Sequence, residues 1–140
     1  MIALDTNILA RFLLKDDLAQ FKLATELLSR DTICTAPPTV MLELVWVLES
    51  YDCMREEIVL ALHTLLGLPN FKPKSFEALC HATRGYEAGM DFGDALHLAL
   101  SVEDDSFVTF DRALGKLATG RDVAPPVQVL RAISPTRSKI

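Results

Sequence analysis

Four carboxylates stand where their chemistry is conspicuous. Asp5 closes the apolar run Met1-Ile2-Ala3-Leu4, and Glu43 interrupts the apolar segment Thr39 to Leu48. Asp94 lies in Asp91-Phe92-Gly93-Asp94-Ala95-Leu96-His97-Leu98-Ala99-Leu100, and Asp111 follows Phe107-Val108-Thr109-Phe110. A carboxylate removed from water is costly unless something positive pairs with it. No Lys or Arg alternates with these four in sequence. A hard divalent cation fills that role, and all-oxygen ligands suit magnesium, with manganese as a substitute.

Each acid also has a simpler explanation. Asp5 can cap the helix that follows, as can Thr6 or Asn7. Glu43 can be an early-turn acid that favours the positive helix end and points to solvent. Asp91 and Asp94 are three residues apart and share one helix face, so Asp91 can cap and Asp94 can serve the first turn. Asp111 can be a loop acid. The ligand reading of Glu43 is the sharpest, because its helix is apolar nearly all round and is expected to be largely buried.

The elements that must position these acids alternate between strand and helix. A strand is expected over Ile2 to Leu4 and a helix over Asn7 to Leu14. Asp16 or Asp17 caps a second helix, whose apolar face is Leu18, Phe21, Ala24, Leu27 and Leu28. Ile33 to Ala36 reads as a strand stopped by Pro37-Pro38. Helices follow over Thr39 to Tyr51, Arg55 to Leu66 and Ser75 to Ala88, and Asp91 caps one that reaches about Glu103. Phe71 to Lys74 is too short to assign. Phe107 to Phe110 and Val127 to Leu130 complete the strands, with a short helix over Ala113 to Ala118 between them. This pattern predicts an α/β fold with a mostly parallel central sheet. In such sheets ligands bind beyond the carboxyl ends of strands, where Asp5 and Asp111 stand.

The 140 residues predict one domain over 1–133 and a polar tail, Ser134 to Ile140. Half of the residues are hydrophobic and 24% are charged, which excludes a disordered chain. No apolar run spans a bilayer, and no basic segment precedes a signal core, so a cytoplasmic protein is expected. Cys34, Cys53 and Cys80 are odd in number and lack a Cys-x-x-Cys pair, so free and mostly buried thiols are expected. His63, His81 and His97 have no ligand spacing, and Trp46 and Phe92 read as core. The net charge of -5 opposes nucleic-acid binding by charge alone. Two basic groups, Arg11, Lys15 and Lys22 after Asp5 and Arg112, Lys116 and Arg121 after Asp111, can flank an acidic centre or be solvated surface charges.

Leu4-Asp5-Thr6-Asn7-Ile8-Leu9, Glu43 in its apolar helix, Asp91-Phe92-Gly93-Asp94-Ala95-Leu96-His97 and Val108-Thr109-Phe110-Asp111 occur in that order. As an ordered set they closely resemble the PIN-domain ribonucleases, and within them the VapC-type toxins of toxin–antitoxin pairs. The resemblance implies a three-layer fold with helices flanking the sheet. It also implies a magnesium- or manganese-dependent endoribonuclease. Asp5, Glu43, Asp94 and Asp111 match the family's acids, Asp91 an accessory ligand, and Thr6, Asn7 and Thr109 supporting polar positions. An RNA substrate, a cognate antitoxin and a homodimer are implied as partners. A haloacid-dehalogenase-like phosphatase would want a second acid where Asn7 stands. A phospho-receiver domain would want an acidic pair and a later strand-end Lys. A non-catalytic PIN-fold scaffold that binds RNA or protein is the alternative a metal titration separates.

Overall fold

The computed structural model describes residues 1–119 and 123–132, so the tail from Ser134 and Arg121 lie outside the described residues. The chain divides into two compact units, Met1–Leu100 and Ser101–Ile140.

In the first unit β1 (Ile2–Ala3) leads directly into α1 (Thr6–Leu14). α2 (Leu18–Leu28) follows, capped by Asp17, whose carboxylate accepts the Gln20 N–H at 3.0 Å. β2 (Cys34–Thr35) pairs in parallel with β1, Ile2 opposite Cys34 and Ala3 opposite Thr35. Phe71 forms a further parallel bridge to Cys34, so the segment too short to assign from sequence adds a third line of pairing. Lys72 N–H and Lys74 N–H donate to the carbonyls of Cys34 and Ala36 at 2.8 and 2.9 Å.

Pro37-Pro38 does more than stop β2. Pro38 opens α3 (Pro38–Ser50), where its fixed φ and missing N–H cost nothing. α4 (Arg55–Leu66) starts with Glu57 accepting the Met54 N–H at 2.8 Å. α5 (Phe76–Glu87) ends before Gly89, whose φ of +111° suits glycine. α6 (Phe92–Leu100) completes the unit, ending three residues before the expected Glu103 because Ser101 begins a turn. α1 packs on α2 and α3, α3 on α4 and α6, and α5 on α4 and α6. Leu9, Leu44, Leu62, Leu79 and Phe92 form a core between them.

The second unit holds β3 (Phe107–Thr109), α7 (Arg112–Ala118) and β4 (Val127–Val129). β3 and β4 pair in parallel, Phe107 opposite Val127 and Thr109 opposite Val129. The fold is thus helix-rich α/β with short parallel strands. Its pairings among the described residues form two two-stranded sheets, and the one central sheet expected from sequence is not among them.

Three burial expectations are corrected. α3 is not buried all round: Met41, Leu44, Val45 and Leu48 are buried at i, i+3, i+4 and i+7, while Trp46 is 53% exposed. Apolar composition fixed the helix, but only one stripe finds a partner. The α2 stripe is likewise half covered, with Ala24 and Leu28 buried and Leu18 79% exposed. All three cysteines are free, but only Cys34 is fully buried.

Candidate metal and nuclease centre

Asp5 is the N-cap of α1, and its Oδ1 accepts the Thr6 N–H at 2.7 Å. The strand ends and the helix begins within three residues, so this carboxylate stands at the end of β1. Thr6 is buried, and its hydroxyl donates to Glu43 Oε1 at 2.5 Å. One residue of α1 therefore holds the acid before it through its amide and an acid of α3 through its side chain.

Asp91 precedes α6, its Oδ2 accepting the Asp94 N–H at 3.1 Å and its carbonyl the Ala95 N–H at 2.9 Å. The turn before it is pinned from α4. Arg55 donates to the Tyr86 and Met90 carbonyls at 2.6 and 2.8 Å and lies 4.3 Å above the Tyr86 ring. Phe92 packs edge-on against Tyr86, with ring centroids 5.8 Å apart. A Cβ on Gly93 would lie 3.0 Å from Asp91 Oδ2 and 3.6 Å from Leu42 Cδ1. The first turn of α6 thus lies against α3 at Leu42, the residue next to Glu43, and Asp94 follows Gly93 at that junction.

Asp111 belongs to the second unit. It caps α7, its Oδ1 accepting the Leu114 N–H at 3.1 Å, while its own N–H donates to Thr109 Oγ1 at 3.0 Å.

Burial does not set these acids apart. Asp5, Glu43, Asp91 and Asp111 are exposed, and Asp94 is half-buried. Water can solvate the exposed ones, so desolvation does not by itself demand a cation. The capping roles weighed for Asp5 and Asp91 are realised, and Asp111 is a cap as well. Glu43 faces solvent as its simpler reading held, yet it is anchored to Thr6. Asp5, Glu43 and Asp111 form no ion pair among the described residues, where Arg11–Asp16 is the salt bridge present. No group of three or more His, Cys, Asp or Glu side chains there is close enough to hold a metal ion.

The donor set still fits a hard cation in kind. It is all carboxylate, and magnesium keeps several of its waters and needs few protein ligands. Thr6 joins Asp5 and Glu43 at one place, and α6 brings the Asp94 turn beside α3. Asn7 and His97 are exposed on α1 and α6. The Thr6–Glu43 bond spans 37 positions and had no local signal in sequence. Arg55, which fixes the turn before Asp91, was unmarked because its partners are backbone carbonyls.

The chain matches the PIN domain family over residues 2–120. It belongs to that family. PIN domains are generally nucleases and typically use divalent metals. The match contains every acid considered above and runs across the boundary between the two units. No curated protein and no solved structure gives a significant match. Among the described residues of this PIN domain no helix is long and apolar enough to cross a membrane.

Proposed function

We propose that this PIN domain is a magnesium- or manganese-dependent endoribonuclease and the toxin of a toxin–antitoxin pair. The observation that carries the reading is Thr6, which donates to Asp5 through its amide and to Glu43 through its hydroxyl. Asp5, Glu43, Asp94 and Asp111 would hold the ion, with Asp91 accessory. A divalent ion so held supplies an acidified water and relief of phosphate charge during hydrolysis.

The chain's own residues do the positioning. The cap on Thr6 N–H occupies one oxygen of Asp5 and orients the other. The Thr6 hydroxyl restricts the Glu43 rotamer. The Asp91 cap sets the helix start from which Asp94 projects, and Thr109 orients the Asp111 backbone. No histidine general base is needed.

The same reading takes residues 1–133 as one three-layer domain about a central sheet, with a polar tail. It takes the protein as cytoplasmic, homodimeric and held inactive by a cognate antitoxin, whose basic side chains can pair with the acids. The support for these is the ordered motif set and the family match.

A non-catalytic PIN scaffold is the second reading, favoured by the lack of a three-acid cluster among the described residues. The Asp5→Asn variant separates the two. Asn also caps helices, so α1 keeps its start. The variant should fold as wild type and lose RNA cleavage by more than roughly a hundredfold. Chelation of the wild type should stop cleavage in the same way. A folded Asp5→Asn protein with full metal-dependent cleavage sinks the nuclease centre. A wild type that takes up no manganese favours the scaffold.

A further inference from the structure

The second unit contains a notch of about 440 Å³ lined by Arg112, Gly115, Lys116, Thr119, Val127, Val129 and Arg131. Its walls follow from two periodicities. Arg112, Gly115 and Lys116 recur at i, i+3 and i+4 on one face of α7, and Thr119 is the residue that ends the helix. Val127 and Val129 are two apart on β4 and share the opposite wall. Gly115 sets the width. A Cβ there would overlap Val129 Cγ2, so a larger residue forces the Val129 side chain or α7 to shift.

Arg112, Lys116 and Arg131 are exposed, and none has a carboxylate partner among the described residues. Three cations therefore ring an apolar floor in a chain whose net charge is -5. The net charge of -5 disfavours an anionic polymer overall, and these three cations attract it locally. The volume exceeds that of a single phosphate and suits a sugar-phosphate unit. Its phosphates would meet the three cations, and its sugar or base face would cover Gly115, Val127 and Val129.

We propose that this α7–β4 notch binds the phosphodiester backbone of single-stranded RNA. The proposal rests on the nuclease reading for its choice of RNA over an acidic peptide. It also adds to that reading, because Asp111 caps the same helix that carries Arg112 and Lys116. The cations position the strand by phosphate contact and carry no sequence preference.

The test is binding without cleavage. Fluorescence anisotropy of a short labelled oligouridylate is followed in chelator over a range of salt. The triple variant Arg112→Gln, Lys116→Gln, Arg131→Gln should bind roughly ten- to hundredfold more weakly at moderate salt. Its slope of log affinity against log salt should be shallower by about 2, from about 0.7 for each lost single-strand contact. The variant Arg30→Gln, Lys72→Gln, Lys74→Gln removes the same charge from the first unit and should change affinity less than about threefold. Independently of any variant, oligouridylate should protect Lys116 of the wild-type protein from acetylation, read by mass spectrometry.

Any one of these results overturns the notch: wild-type protein that does not bind, equal loss in both triples, displacement by polyglutamate as effective as by polyuridylate, or a Lys116 left unprotected. Cleavage is scored separately with magnesium present. Notch-dependent binding by a protein that never cleaves leaves this inference standing and removes the nuclease reading. Cleavage that ignores the notch variant removes the inference alone.

Discussion

Replacing Thr6 by Val deletes one hydroxyl and little else. Val fills nearly the same volume at a buried position, and the backbone N–H that donates to Asp5 is kept. What is lost is the 2.5 Å bond to Glu43 Oε1. A hydrogen bond to a charged acceptor contributes about 1.5–3 kcal/mol when the acceptor is shielded. Glu43 is exposed, so water replaces much of that, and the expected loss of stability is about 1 kcal/mol. For a chain of this size that lowers Tm by roughly 3–5 °C.

The effect on cleavage should be disproportionate. A freed Glu43 samples several rotamers, and loss of a partner that orients a metal-binding carboxylate typically costs about 10- to 100-fold. The assays are thermal unfolding by circular dichroism in chelator, initial rates on labelled RNA at saturating magnesium, and manganese affinity. Thr6→Ser keeps the hydroxyl and should recover most of the rate. A Thr6→Val protein with wild-type rate and manganese affinity refutes the idea that Thr6 positions Glu43. Equal loss in Val and Ser assigns the effect to packing instead.

Two further perturbations test particular contacts. Gly115→Ala brings a methyl into overlap with Val129 Cγ2, so the Val129 side chain or the α7–β4 spacing must shift, at a cost of about 1–3 kcal/mol. Hydrogen exchange should quicken at the amides of α7 and β4, and unchanged exchange there contradicts the close approach. Tyr86 is pushed up to about 12 by burial, with its 3.1 Å hydrogen bond to Glu49 adding to the shift. Its neutral phenol is the form the fold prefers, so this stability is fully present below the unfolded value near 10 and is lost as pH rises towards 12. Absorbance of phenolate with rising pH, compared with Tyr86→Phe, should show one tyrosine ionising late.

Local signals in the chain were legible wherever the relevant physics is local. Arg55–Leu66 has the bounds the sequence predicts, with Gly67-Leu68-Pro69-Asn70 ending it. Of Asp16 and Asp17, which the sequence offers equally as the cap of α2, Asp17 is the cap, and Asp91 caps α6 as expected. Sequence reasoning failed where the answer depends on what packs against what. α3 has apolar residues on most sides, but only one stripe has a neighbour, which leaves Trp46 half exposed. The same composition predicts a largely buried Glu43, which is exposed. Phe71 pairs with Cys34 through a single bridge, too little for a periodicity to show. Arg131 had no motif, since only β4 carries it to the face of α7.

Capping and metal binding are not competing explanations of these aspartates. Asp5, Asp91 and Asp111 each give one carboxylate oxygen to a backbone N–H at the start of a helix. That bond removes the rotamer freedom a ligand would otherwise lose on binding. The positive end of the helix also offsets part of the acid's charge before any cation arrives. Glu43 sits beyond the first turn of α3 and has no such cap, and it receives the Thr6 hydroxyl in its place. A chain that evolved only to start helices has no need for that fourth bond. Its presence on Glu43, which caps no helix, is the reason to read the carboxylates together, and it is why Thr6, more than any of the acids, is the residue to change first.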